Sequence, residues 1–371
     1  MSSNFGKSLE ASFRRIRPFL APSYRRAFGQ MLKRGMKEHR EGEPIVVCDF
    51  ANPAIDSVGG RYYASMVLDL IEAGYFPVFT AHRPTLSSFV ISRKKSLLLH
   101  HRMGVIRSLD ELKQPYFLIT DSCGPVPELA EKVVRVTYDH RLKQSESEIE
   151  LPFFVHPQIG TKVALPHPYQ VATPRSARIF FGGNTMEHRY DKDVLGDFYG
   201  LLTRREMLAT ASSAAGDTVY RPTDAETWLA ADDFHPFVLF ETQNVKIPQK
   251  RWIDALAKAD FFLACPGVGM PLCHNLIEAI AGGAIPILQY AAYLPKPLQH
   301  GKNCISFSDV KSLESAIRSV LEMPGEQIIE MRQNVKDYYD EFMAPGQFSR
   351  RLFADGFPNR TLLINAYRVP R

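Results

Sequence analysis

Downstream of Pro44 short apolar runs alternate with amphipathic stretches. Residues 45–48 (Ile-Val-Val-Cys) read as a buried strand that ends at Asp49 and a polar loop holding Asn52, Pro53, Asp56, Gly59 and Gly60. Residues 61–73 place Tyr62, Met66 and Leu70 at helical spacing and stop at Gly74, which predicts a helix. Further strands are predicted at 75–80, 116–120 and 133–138. Strand–helix alternation of this kind predicts a parallel sheet with helices on both faces. Pro152, Pro157, Pro166, Pro168 and Pro174 then exclude a long helix and mark a linker. Beyond it the alternation restarts. Strands are predicted at 178–181, 237–240, 261–264 and 285–288, and helices at 197–209, 252–259, 272–281, 310–322 and 326–342, with a tail from 347 to 371. The expected fold class is α/β, two doubly wound, Rossmann-like domains facing each other across a cleft.

A length of 371 residues suits two domains. Cys48, Cys123, Cys265, Cys273 and Cys304 are scattered without a CxxC spacing, which fits reduced thiols filling a core better than a disulfide framework. No signal peptide is visible, and the longest apolar run, 279–288, is about half of what a membrane span needs. The expected location is cytoplasmic. Charge is uneven along the chain. Residues 1–40 hold ten Lys/Arg against Glu10 and Glu38, a balance of +8, so the other 331 residues carry −3 of the net +5. This basic arm interleaves Arg14, Arg15, Arg17, Arg25, Arg26, Lys33 and Arg34 with Phe13, Phe19, Tyr24 and Phe28. Such a stretch can lie peripherally on the anionic inner face of a membrane or bind nucleic acid. The plainer reading is an extension packing its aromatics on the first domain. No nucleic-acid motif is present, and no nucleic-acid partner is expected.

The richest chemistry follows the strand at 261–264. Cys265-Pro266-Gly267-Val268-Gly269-Met270-Pro271 forms a Gly-rich turn, and Leu272-Cys273-His274-Asn275-Leu276-Ile277-Glu278-Ala279-Ile280 follows it. Backbone N–H groups of the turn, with the helix N-terminus, suit an anion such as a diphosphate. His274 and Glu278 are spaced i, i+4 and share a helical face. A carboxylate there can accept hydrogen bonds from both hydroxyls of a ribose; a surface His–Glu pair is the equally weighted alternative.

An aromatic strand, Pro-Gly, a loop, Asn-Leu-Ile-Glu-Ala and then Gly-Gly-Ala-Ile-Pro-Ile resembles the nucleotide-sugar site of GT-B glycosyltransferases, in their exostosin-like branch. The resemblance is sharp over 250–300 and architectural over the first domain. Charge and the linker set off a basic arm (1–40), a first domain (41–172) and a second (173–345). The resemblance implies a GT-B fold in which the first is the acceptor side, the second the donor side, and a segment (346–371) packs back on the first domain. It implies that Glu278 holds the donor ribose with His274 or Asn275 beside it, and that Pro266 and Gly267 meet the base and phosphates. It also implies that Gly182, Gly183 and Asn184, after the first strand of the second domain, approach the diphosphate. Arg189, Lys250 and Arg251 are the candidate cations for the leaving group, with Arg189 and Arg251 preferred.

A base for the acceptor hydroxyl is sought at the strand ends of the first domain. Asp56 leads and His82 follows, with Asp121 and the pair Asp139-His140 behind; each can equally be a turn or cap residue. Asp191-Lys192-Asp193 matches a metal-binding DxD but precedes a helix, so a capping role is expected, and neither a metal nor another cofactor is. The expected function is metal-independent transfer of a sugar from a nucleotide-activated donor to a glycan or lipid-linked acceptor, as in polysaccharide biosynthesis. A nucleotide-sugar epimerase of the same architecture and a non-catalytic glycan- or nucleotide-binding protein are the alternatives.

Overall fold

The computed structural model describes residues 20–52, 55, 57–92, 95–138, 141–165, 167–186, 193–268, 270–354, 356 and 359–364. They divide into two units, one of residues 20–138, 143–149 and 349–364, the other of 141–142 and 150–348.

In unit 1 the apolar run beginning at Ile45 is central strand β1 (Ile45–Asp49). It lies parallel to β2 (Phe76–Thr80) and to β4 (Tyr116–Thr120), and β3 (Gly104–Ile106) and β5 (Ala130–Thr137) extend the sheet. The strand order is β3-β2-β1-β4-β5-β13-β6, where β6 is Glu148–Glu150 and β13 is Asn359–Leu363. Both faces of β1 are covered, so four consecutive apolar residues serve it where an alternating pattern would not. The returning tail carries β13, whose register on β5 runs from Asn359–Val133 to Leu363–Thr137. Phe353 stacks on Phe117 at 4.8 Å, and the Ser349 hydroxyl and N–H both donate to buried Asp69 at 2.7 Å.

Residues 20–40, expected to be part of a basic arm, are built into this unit. Helix α1 (Pro22–Leu32) buries Ala27 and Met31, and Met36 packs against the core formed by Ile45, Val47, Phe76 and Val78. Arg34 donates to the carbonyls of Leu99 (2.9 Å) and His101 (3.2 Å). Arg83 lies over the Phe28 ring at 5.6 Å, and Ser87 donates to the Tyr24 carbonyl. The Phe28 ring thus packs on the first domain; the aromatics before residue 20 lie outside the described residues. Helix α2 (Ser57–Glu72) follows β1, and α3 (Arg83–Ile91) follows β2.

Unit 2 holds a six-stranded sheet in the order β12-β11-β10-β7-β9-β8, parallel throughout. Its strands are β7 (Ala177–Gly183), β8 (Val219–Tyr220), β9 (His235–Glu241), β10 (Ala259–Leu263), β11 (Ile285–Leu288) and β12 (Ile305–Ser306). The single helix expected at 197–209 is two. A first ends at Tyr199, Gly200 turns the chain at φ 62°, and α4 (Arg204–Ala215) begins anew. The cause is local: Thr203 and Glu206 form a capping box, each side chain bonding the other's backbone N–H. Helices α5 (Trp252–Ala257), α6 (His274–Ala281), α7 (Val310–Glu322) and α8 (Gly325–Tyr338) are among the others of the unit. The proline-rich stretch 151–174, read as a linker ending the first domain, packs within unit 2, with Leu151, Phe153 and Phe154 buried.

Candidate functional site

In a doubly wound sheet the crevice lies at the carboxyl ends of the two strands where the order reverses. In unit 2 those strands are β7 and β10, since β8 and β9 lie to one side of β7 and β10 to β12 to the other. Gly182 and Gly183, expected after the strand, are the last two residues of β7, paired with Phe240 and Glu241 of β9. The chain leaves β7 at Asn184 and leaves β10 toward Pro266-Gly267, and α6 then starts at His274. Eight of the residues singled out for the donor thus meet at one point of the fold.

Their bonds explain the residue types. A Cβ on Gly182 would stand 2.8 Å from the Trp252 indole, so glycine is needed there to admit Trp252. The Asn275 amide donates to the Gly182 carbonyl at 3.1 Å, which ties α6 to β7. The Asn184 carboxamide accepts from the Met186 N–H at 2.8 Å and shapes the β7 exit. The Gly267 N–H is spent on the Met270 carbonyl at 3.0 Å, closing the β10 turn on itself.

Glu278 is buried, 2% exposed, and one carboxylate oxygen accepts from the His156 N–H at 3.0 Å while the other accepts from Trp252 Nε1 at 2.6 Å. His274, also buried, has Nδ1 2.9 Å from the Phe154 carbonyl, so that nitrogen carries the proton and donates. The i, i+4 pair therefore shares a face as expected, and that face grips the segment 154–156. The surface-pair alternative does not hold. Phe154 sits at φ 53°, a left-handed conformation a bulky residue adopts only under such constraint.

Three residues escaped the sequence reading: Arg204, Trp252 and His156. Arg204 is 5% exposed and donates from Nη1 to the Asn184 carbonyl (2.7 Å) and from Nη2 to the Pro266 carbonyl (3.0 Å). One side chain thus bonds the exit turns of both β7 and β10. Its signal was the Thr-x-x-Glu capping box at 203–206, which starts a helix at residue 204 and places this side chain in the first turn. Burial pushes the Cys265 thiol up to about 12 against the opposing pull of Arg204, and the Cys273 thiol is raised for the same reason. Neither is a thiolate nucleophile at neutral pH.

Of the candidate cations, Arg251 pairs with Asp254 at 2.8 Å and Glu226 at 3.3 Å. Arg189 lies outside the described residues, as do Asp56, Asp139, His140 and Asp191. In unit 1 the order reverses between β1 and β4. There Asp49 accepts from the hydroxyls of Thr80 (2.8 Å) and Thr120 (2.9 Å), bracing three adjacent strands. Asp121 accepts from the N–H groups of Ala51 and Asn52, both at 2.9 Å, and from the Tyr138 hydroxyl. His82 precedes α3, with Nδ1 2.9 Å from the Thr85 hydroxyl. Among the described residues no group of three or more His, Cys, Asp or Glu could hold a metal ion, and no helix is long and apolar enough to cross a membrane.

No protein-family model matches the chain, and no curated protein does. Among solved structures it is similar to an alpha-glucosyltransferase in complex with UDP and a 13-mer DNA containing a central A:G mismatch, at 12% identity and a TM-score of 0.39, covering 83% of this chain and 98% of that one. It is similar to Anabaena HepE in complex with UDP, at 11% identity and a TM-score of 0.40, covering 81% and 96%. A third is T4 phage BGT in complex with UDP-glucose, at 12% identity and a TM-score of 0.33, covering 79% and 94%.

Proposed function

We propose that this chain is a GT-B-type glycosyltransferase that moves a sugar from a nucleotide-activated donor to a glycan or lipid-linked acceptor. One observation carries the reading. Gly182, Gly183, Asn184, Pro266, Gly267, His274, Asn275 and Glu278, whose motif resembles a nucleotide-sugar site, converge on the β7/β10 switch point of unit 2. A ligand with a ribose and a diphosphate suits that point because a parallel sheet aims strand ends and helix N-termini at it. An ionised carboxylate has about four lone-pair sites, so Glu278 can serve a ribose hydroxyl as well as protein donors. Arg189 and Arg251 are the proposed cations for the leaving group, and no metal is required.

Unit 1 supplies the acceptor side in this reading, with Asp56 or His82 as base. The exposed Arg25, Arg26, Lys33, Lys37 and Arg40 of the 20–40 segment would hold the protein on an anionic membrane carrying a lipid-linked acceptor. The test is a melting series with UDP, GDP, CMP and ADP, because a ligand that binds the native state stabilises it by mass action. One nucleotide should raise the melting temperature, and the matching nucleotide-sugar should be turned over only with an acceptor present. Turnover without acceptor identifies an epimerase, and no response to any nucleotide overturns the proposal.

A further inference from the structure

We infer that Arg204 is a positioning residue for the diphosphate of the donor; the inference rests on the function proposed above. The turns leaving β7 and β10 are separated by more than eighty residues in sequence, yet both must keep one spacing for a diphosphate to bridge them. Each turn is fixed internally. Thr185 donates from its N–H to the Gln243 carboxamide (3.2 Å) and from its hydroxyl to Glu241 (3.0 Å), and the Gly267 N–H closes on Met270. Arg204 joins the two, with one arm of its fork on Asn184 and the other on Pro266. The capping box at Thr203 and Glu206 fixes the backbone from which it reaches, and the guanidinium carbon lies 5.9 Å from the Phe181 ring centroid. A planar fork suits this position because it meets two carbonyls with one rigid group. The guanidinium charge is felt in the crevice wall, where it pulls against the burial of Cys265, Cys273 and Tyr290. Arg204 therefore fixes the width of the crevice and sets a positive charge in its wall.

The experiment compares Arg204→Met, which keeps an unbranched apolar stem and loses every donor, with Arg204→Lys, which keeps the charge and loses the fork. Amide exchange of the ligand-free proteins tests the brace without reference to any donor. The Thr185 and Gly267 amides should exchange at least tenfold faster in Arg204→Met, and amides in β11 less than twofold faster. Calorimetry then tests the diphosphate. The nucleoside diphosphate that the melting series selects should bind at least tenfold more weakly to Arg204→Met, its nucleoside within twofold of wild type, and Arg204→Lys should fall between for the diphosphate. Unchanged exchange at both turns overturns the brace. Equal losses for that diphosphate and its nucleoside, or a wild type that responds only to CMP, overturn the diphosphate role and leave a merely structural arginine. Should the wild type bind no nucleotide of the panel, the donor reading and the diphosphate role fall together, and exchange alone judges the brace. If Arg204→Met does not fold, Arg204→Lys decides by the same readouts.

Discussion

Glu278 is the residue whose removal tests the site most directly, because its two oxygens serve two buried donors. Glu278→Ala leaves the Trp252 indole N–H and the His156 N–H without acceptors. An unsatisfied buried donor costs about 1–3 kcal/mol, so the pair costs about 2–6 kcal/mol. A unit of this size loses roughly 2–4 °C of melting temperature per kcal/mol, which makes the loss on the order of 10 °C. Glu278→Gln keeps one acceptor and sets an amide NH2 against the other donor, while relieving the burial of a charge. Its loss should be smaller, about 1–3 kcal/mol. Trp252 is one of two tryptophans in the chain, so its emission reports the broken bond directly. Trp228 stacks on Phe180 at 5.5 Å, and a Trp228→Phe background isolates the signal. The expected order of stability is wild type, then Gln, then Ala, with the Trp252 emission shifted in both variants. An alanine variant that melts with the wild type, or an unchanged emission, refutes this account of the site. Calorimetry at 10 °C with the nucleotide that the melting series selects, on variants shown to be folded, separates the ribose role from the bracing role. Affinity that survives in folded Glu278→Gln and Glu278→Ala removes Glu278 from the donor site.

Deleting residues 1–40 should destabilise unit 1 by stripping Ala27, Met31 and Met36 from its packing, as measured by urea unfolding; retained stability refutes the packing described for α1. Arg25→Glu with Arg26→Glu changes only exposed side chains and should weaken salt-sensitive binding to anionic vesicles at least tenfold at unchanged melting temperature, since each basic residue near such a surface contributes about 1 kcal/mol; unchanged binding ends the membrane proposal. Transfer activity should survive EDTA and gain nothing from manganese, and loss with chelator followed by rescue with manganese would show that Asp191 and Asp193 bind metal. The carboxyl of Asp309, which caps α7, is held below its ordinary 3.8 by the Ser312 N–H. A depressed pKa means that the unfolded state takes up the proton first as pH falls, so the cap stabilises above about pH 4 and is lost below its native pKa. The Ser312 amide should therefore exchange faster, relative to an unstructured amide, as pH drops through that window, and Asp309→Asn should flatten the dependence.

The fold was legible wherever burial on both faces left a run of apolar residues. Residues 45–48, 116–120, 261–264 and 285–288 coincide with β1, β4, β10 and β11 to within one or two residues at either end. What escaped was made by pairing more than by composition. Strand β13 reads Asn-Arg-Thr-Leu-Leu, with only its last two residues buried, and it is a strand because β5 offers it an edge. The break at Gly200 escaped for another reason. Apolar spacing continues across it, and only the capping residues Thr203 and Glu206 mark the restart.

The site was legible as a set of positions and not as a set of protein partners, and one physical reason covers both. Spacing along a helix fixes which residues share a face, so His274 and Glu278 were paired correctly. What that face meets depends on a segment more than a hundred residues earlier, and no local pattern encodes a contact between Glu278 and His156. The glycines show the same division. Gly182 has to be small, but it lies within β7 and not in a turn after it, and the group that comes close is the Trp252 ring. Trp252 in turn reaches Glu278, so a larger residue at 182 should disturb the carboxylate through the indole it displaces. A Gly182→Ala variant would then share the shifted Trp252 emission of Glu278→Ala while keeping every charge in the site. If its emission matches the wild type, the chain from Gly182 through Trp252 to Glu278 is not coupled. The close approach at 182 would then be a matter of packing alone.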